Sequence, residues 1–201
     1  MNVYDFDKTI FYPDSSVSFI LFCMRHYPRQ VLRAALPALV QAFNYYVCSK
    51  RKDAKGLKEA LFSFLNRIDN VDQVVLDFWD VHFCQIADWY LQQKKADDLI
   101  ISASPEFLLR PATDKLGVRL IATKMNPYTG KILGKNCHDE EKCRRFLEFF
   151  SSETIEAFYS DSLSDTPMAN LAEKAFLISG AKQSPWPGHS IQTRETKNGT
   201  A

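Results

Sequence analysis

The sequence predicts an α/β protein: a three-layer core around a mainly parallel sheet, with an all-α block inserted after the first strand. Three observations carry this. In the second half of the chain, short apolar runs at strand length alternate with helical segments, the pattern of a parallel sheet covered on both faces. Between residues 15 and 95 the apolar positions instead recur at steps of three and four, the helical period. The third is that Asp5, Ser102 and Asp161 stand directly after strands, where open α/β sheets bind ligands.

The first strand is NVYDF at 2–6, which ends in acid. Within the helical block, Leu57, Leu61, Phe64, Leu65 and Ile68 keep one spacing. Val71, Val74, Val75, Phe78, Trp79, Ile86, Tyr90 and Leu91 continue it with some slippage. Pro28, the basic stretch at 50–55 and the polar stretch around Asn70 divide the block into three or four helices. The later strands read as LIIS at 99–102, VRLIAT at 118–123, IEAFYS at 155–160 and AFLIS at 175–179, with helices near 105–115, 140–151 and 167–174. KMNPYTGKILG at 124–134 reads as a hairpin turning at Thr129 and Gly130. The tail from Gly188 is polar and aperiodic, so it is expected to be mobile. The expected division is a core of residues 1–13 with 96–187, a helical cap at 14–95 and a flexible tail at 188–201.

Composition narrows the partners. The 201 residues suit one domain with a moderate insertion, and a hydrophobic fraction of 46% can bury a core. Lys+Arg 25 against Asp+Glu 24 lacks the basic excess of a nucleic-acid binder. The cysteines Cys23, Cys48, Cys84, Cys137 and Cys143 are odd in number and scattered, which reads as reduced thiols in a cytoplasmic protein. Cys137, His138 and Cys143 are close enough to suggest structural zinc, but no second cysteine pair supports it. No basic segment followed by an apolar stretch precedes Asp5 and Asp7, so no secretory signal is read.

The most apolar region, residues 31–48, is interrupted by Arg33, Pro37, Gln41 and Asn44, which share one narrow stripe at helical spacing. A spanning helix wants about 20 nearly uninterrupted apolar residues, so a helix buried on most sides is expected. Its flanks, Arg25, His26 and Arg29 on one side and Lys50, Arg51, Lys52 and Lys55 on the other, would also suit peripheral contact with an anionic membrane. Packing inside the cap is the preferred reading, because several helices must bury faces on one another.

Four sites carry chemistry. In DFDKT at 5–9, alternate side chains of an extended segment share a face, so Asp5 and Asp7 can point into one crevice. Ser102 ends LIIS, and Ser104-Pro105 reads as the N-cap and first turn of a helix whose free N–H groups would face an anion. Lys142 begins a helical run. DSLSD at 161–165 follows IEAFYS, with Thr166-Pro167 opening the next helix. Hard oxygen donors from separate strands suit octahedral Mg²⁺. A carboxylate near that metal can act as nucleophile, already ionised at an ordinary pKa of about 3.9. A lysine and a hydroxyl can hold phosphate oxygens, and a second acid can protonate the leaving alcohol and then deprotonate water. Each piece alone has a plainer reading: a loop start, a turn serine, or a lysine on a solvated face among Asp139, Glu140, Glu141, Arg144 and Arg145. It is their order, each at a strand end or helix start, that makes them a site.

That ordered set resembles the haloacid dehalogenase-like hydrolases, in the branch that contains phosphoserine phosphatase. DFDKT is similar to the first motif, DxDxT; ISASP at 101–105 to the second; Lys142 in NCHDEEKCRRF to the third; and YSDSLSD at 159–165 to the fourth. The resemblance implies a Rossmann-like core with a helical cap and a Mg²⁺-dependent phosphatase that forms a phospho-aspartate. It implies that Asp5 is the nucleophile, and that Asp7 is the general acid/base with its backbone carbonyl on the metal. Ser102 and Lys142 would bind phosphate, Asp161 would ligate the metal with Asp5 and Asp7, Asp165 would assist directly or through water, and Thr9 would support the loop.

The chain also departs from these relatives. Lys8 stands where many of them have Gly or another small residue, and its ammonium is expected to face solvent. Ala103-Ser104-Pro105 replaces the paired glycines after Ser102, and Asp14 stands where phosphoserine phosphatase has Glu at the cap entry. Asp14-Ser15 is closer to relatives acting on other phosphomonoesters, including a bacterial phosphatidylglycerophosphate phosphatase. Asp14 and Phe19 are the candidates for selecting the alcohol, with ordinary cap core the plainer reading of Phe19. The expected substrate is a small soluble phosphate monoester. A lipid phosphate at a membrane surface is the alternative, followed by a phosphotransferase and a non-catalytic binding module.

Overall fold

The computed structural model describes residues 1–43 and 54–188. The expected tail beyond 188 and the basic residues Lys50, Arg51 and Lys52 lie outside the described residues, as does Cys48. The sheet contains β1 (Asn2–Tyr4), β2 (Leu99–Pro105), β3 (Arg119–Thr123), β4 (Ile155–Ser160), β5 (Ala172–Ser179) and β6 (Lys182–Pro185). Their spatial order is β3-β2-β1-β4-β5-β6. Every neighbouring pair is parallel except β5 and β6.

Alternation along the central strands sends side chains to two cores. Val3, Leu99, Ile101 and Phe158 join Phe146 and Met168 on one face. Tyr4, Ile100 and Tyr159 belong to the apolar cluster on the other. Helices cover both faces, as a parallel sheet requires.

Among the described residues, five α-helices separate β1 from β2: α1 (Ser15–His26), α2 (Pro28–Phe43), α3 (Ala54–Phe62), α4 (Val71–His82) and α5 (Asp88–Gln93). Asp14 caps α1 by accepting from Val17 N–H at 2.9 Å, and Asn70 caps α4 by accepting from Gln73 N–H at 3.1 Å. Their packing differs from that of a detached block. Phe78 and Trp79 of α4 and Tyr90 of α5 share one apolar cluster with Tyr4, Ile100 and Tyr159 of the sheet. The Trp79 indole donates to the Leu108 carbonyl at 2.6 Å, and the Tyr4 ring meets Tyr90 edge-on at 4.9 Å. The last two inserted helices therefore help to cover one face of the sheet. Among the described residues, no helix is long and apolar enough to cross a membrane.

The remaining helices are α6 (Glu106–Leu116), α7 (Glu140–Phe150) and α8 (Thr166–Ala169). Three boundaries differ from the sequence expectation. β2 continues to Pro105 through a register shift after Ser102, so α6 begins at Glu106. β5 begins at Ala172, which shortens α8 to one turn. β6, with the polar sequence KQSP, has no apolar pattern to announce it; it lies at the sheet edge, where a proline can be accommodated.

Candidate active site

Strand register brings the chemistry together. Tyr4 is paired with Ile100 on one side and Tyr159 on the other. The residues that follow, Asp5, Ser102 and Asp161, therefore emerge along one edge of three adjacent strands. The Asp5 N–H donates to the Tyr159 carbonyl at 2.8 Å, and the Asp161 N–H donates to Thr9 Oγ1 at 3.0 Å, tying the first loop to the fourth strand. Asp5, Asp7, Ser102, Lys142, Asp161 and Asp165 line one cavity of about 170 Å³, with Lys8, Asp14 and His138 also bordering it. A larger hollow of about 990 Å³ runs along β3, α6 and α7 and contains none of these strand-end residues.

Lys142 is the centre of this arrangement. It is only 2% exposed, and its ammonium donates to Asp5 Oδ1 and Asp165 Oδ2, both at 2.7 Å. Burial works against its charge, but the two carboxylates outweigh that and raise its pKa. The solvated-face reading of Lys142 does not hold. Asp165 also accepts from Ser160 Oγ at 2.8 Å, so its Oδ2 is committed to Lys142 and Ser160. Ser160 ends IEAFYS and had no role in the sequence reading.

The acids are held in different ways. Burial pushes Asp5 up, Lys142 pulls it down and Asp165 pushes it up again, to about 7. The expectation of an ordinary, readily ionised carboxyl is corrected accordingly. Asp7 is raised by burial and then by Asp14, against hydrogen bonds from Ser104 and Ser15. Those bonds occupy both of its oxygens: Ser104 Oγ donates to Oδ2 at 2.5 Å and Ser15 N–H to Oδ1 at 2.7 Å. Asp161 is raised by burial, against a smaller lowering by Lys8, whose side chain is exposed as expected.

One sequence assignment changes and another narrows to its plainer reading. Ser104 is not the cap of α6; Pro105 takes that position without a side-chain bond. Ser104 instead holds Asp7 and contacts both Ser15 Oγ and Ser16 Oγ at 3.1 Å. Phe19 is 0% exposed and packs against Phe62, Phe78 and Phe107, and the cavity does not include it. Its plainer reading, core of the helical block, is what the packing supports. Asp14, by contrast, borders the cavity while capping α1.

The donor chemistry fits a hard divalent cation. Asp5, Asp7 and Asp161 border one cavity, and burial raises all three, a cost that a cation would offset. Among the described residues, no three acidic, imidazole or thiol side chains are grouped to hold a metal. Each Asp7 oxygen accepts one hydrogen bond and keeps a further lone pair for a proton or a cation.

The haloacid dehalogenase-like hydrolase family model matches residues 3–170. Among solved structures, a protein of unknown function from Bordetella pertussis Tohama I has a TM-score of 0.72 at 20% identity, covering 94% of this chain and 91% of that one. A phosphoserine phosphohydrolase-like protein from Francisella tularensis has a TM-score of 0.51 at 14% identity, covering 87% and 86%. Phosphoserine phosphatase in its apo form has 0.54 at 13% identity, covering 86% and 82%. At such identities the likeness speaks to the fold. No curated protein matches. With the family match running from β1 to the end of α8, the chain belongs to the haloacid dehalogenase-like hydrolases.

Proposed function

We propose that this hydrolase is a phosphatase that cleaves the phosphate monoester of a small metabolite through a phospho-aspartate on Asp5. One observation carries the reading: the buried Lys142 ammonium, 2.7 Å from both Asp5 and Asp165, sits where three strands end beside Ser102 and Asp161. Asp5 attacks phosphorus as the bond to the alcohol oxygen breaks, and Asp7 gives that oxygen its proton. Asp7 then takes a proton from the water that cleaves the acyl phosphate, which frees inorganic phosphate and restores Asp5. Ser102 and Lys142 hold phosphate oxygens throughout. Mg²⁺, held by Asp5, Asp161 and the Asp7 carbonyl, would supply positive charge to a phosphate oxygen. Residues 14–95 serve as the cap over a core of 1–13 and 96–187, with α4 and α5 of that stretch also packed on the sheet.

The test is a Mg²⁺-supplemented screen of sugar phosphates, amino-acid phosphates, nucleotides and lipid phosphates with wild type and Asp5→Asn. Turnover by wild type, with a loss of at least about a thousandfold in the variant, is expected for removal of a nucleophile. Comparable rates in the two would sink the assignment.

A second reading has its own support. Leu21 of α1 is 62% exposed, Val17 and Leu32 are exposed near it in sequence, and Arg25, His26, Arg29 and Arg33 accompany them. Val17 lies one turn from Asp14 at the cavity. A lipid phosphate presented at an anionic surface would suit that face. Flotation with anionic vesicles decides: protein that remains at the bottom of the gradient removes this reading.

A further inference from the structure

Among the described residues, two that are not glycine have positive φ: Lys8 at 56° and Asp139 at 49°. Left-handed backbone costs an L-residue free energy that glycine avoids, and such strain gathers at functional sites. One stands at an opening and the other next to it. Lys8, in the loop after β1, borders the cavity directly; Asp139 adjoins His138, which borders it from the stretch before α7.

The two serve charge at the rim. The Lys8 side chain is exposed, and its ammonium has no hydrogen bond or ion pair among the described residues. Asp139 Oδ2 lies 2.9 Å from His138 Nδ1, which leaves Nε2 as the free ring nitrogen, and His138 is 49% exposed. Asp139 Oδ1 is buried without a hydrogen-bond partner. The segment thus bears both strain and an unsatisfied oxygen while the imidazole is oriented. Of the acids bordering the cavity near Lys8, Asp14 caps α1, Asp165 is held by Lys142 and Ser160, and Asp161 is the one whose charge Lys8 favours.

Size places recognition at this rim. A cavity of about 170 Å³ falls below the roughly 300 Å³ at which sites begin to enclose a drug-sized ligand. A phosphoryl group fits inside, which leaves the alcohol to lie toward the mouth, and besides Lys142 the basic side chains bordering the cavity are Lys8 and His138. We propose that Lys8 and His138 form a second anion subsite, and that the substrate is a phosphomonoester whose alcohol carries another anionic group, a carboxylate or a second phosphate. Asp139 is its positioning residue. The proposal rests on the phosphatase reading and specifies its substrate class.

The experiment compares kcat/KM for matched esters at two chain lengths: hydroxyethyl phosphate with phosphoglycolate, and hydroxypropyl phosphate with 3-phosphooxypropionate. Wild type should favour the carboxylated member by at least about fivefold, the scale of one well-placed ion pair. Lys8→Met and His138→Asn should each move that ratio toward one. Lys8→Gly, which suits the backbone, should do so with the fold secure. Asp139→Gly should lower the ratio while raising the melting temperature, a combination that a purely structural role would not produce. A wild-type ratio within twofold of one at both lengths, or a preference that survives the Lys8→Met/His138→Asn double variant, overturns the subsite and leaves the phosphatase standing. Hydrolysis of none of the four esters, with turnover elsewhere in the broader phosphate panel, overturns the substrate class alone; no turnover anywhere overturns both.

Discussion

Asp7 has both carboxylate oxygens engaged, one by Ser104 and one by the Ser15 N–H. A hydrogen bond to a charged group contributes about 1.5–3 kcal/mol, so an acid that passes a proton depends on it for aim. Ser104→Ala is therefore expected to lower kcat by roughly tenfold to a hundredfold with little change in KM, since Ser104 does not border the cavity. An unchanged kcat would mean that Ser15 alone orients Asp7. Asp139 presents the reverse case. With φ 49° and ψ −125° it occupies backbone space that suits glycine, and Asp139→Gly should stabilise the fold by about 1 kcal/mol net of the added chain freedom. A urea midpoint that falls would show that the conformation carries no strain. That Asp5, Ser102, Lys142 and Asp161 would meet at one cavity was legible, because polar residues beside strand ends and helix starts are a local pattern. The role of Ser104 was not, since its partner is 97 residues away. Nor was the strain at Asp139, because an aspartate before a helix reads as an ordinary cap.

The contact between α3 and the hairpin after β3 shows the same limit for whole elements. Periodicity announced α3 and turn chemistry announced Gly130, but neither revealed that the two meet. Gly130 has φ 69°, and a Cβ there would lie 2.5 Å from the Phe62 carbonyl oxygen. Around it, Glu59 accepts from the Ile132 N–H at 2.9 Å, Lys55 donates to the Gly134 carbonyl at 3.0 Å, and Lys58 donates to the Ala103 carbonyl at 2.8 Å. That last carbonyl follows Ser102, so docking of α3 reaches the phosphate side of the site. Gly130→Ala meets both a backbone penalty and a clash. Amide exchange should accelerate in residues 54–67 and 124–135 while α7 keeps its protection; equal exchange in the variant and wild type would show that the hairpin does not hold the helix. Strands were read well where apolar runs marked them, as in IEAFYS, and missed in β6, whose exposed edge asks for no such run. For α4 and α5 the buried face was legible, but the sheet they cover was not, because spacing says that a face is buried and not against what.

At the scale of the molecule, buried acids make stability depend on proton and metal together. Burial raises Asp5 to about 7 and raises Asp7, Asp161 and, at the other end of the sheet, Asp98. Unfolded, these groups titrate near 3.9. For Asp5 the native state therefore holds, between about pH 4 and 7, a proton that the unfolded chain has released; the other raised acids act in the same direction, and stability falls as pH rises, by up to about 1.4 kcal/mol per pH unit for each such proton. Glu141, drawn down to about 2 by Arg144 and then Arg145, has the opposite sign, but its window closes below its ordinary value and does not reach pH 5.5. In chelator, the melting temperature should be higher at pH 5.5 than at pH 8. Millimolar Mg²⁺ should reverse the order, because a cation and protons compete for the same oxygens and the cation wins where the acids are ionised. Asp161→Asn, with one acid fewer in the cavity, should shrink the Mg²⁺ shift at pH 8. A melting temperature that climbs from pH 5.5 to 8 without metal would contradict the raised carboxyls. A Mg²⁺ shift of equal size at both pH values would place the cation somewhere other than these acids.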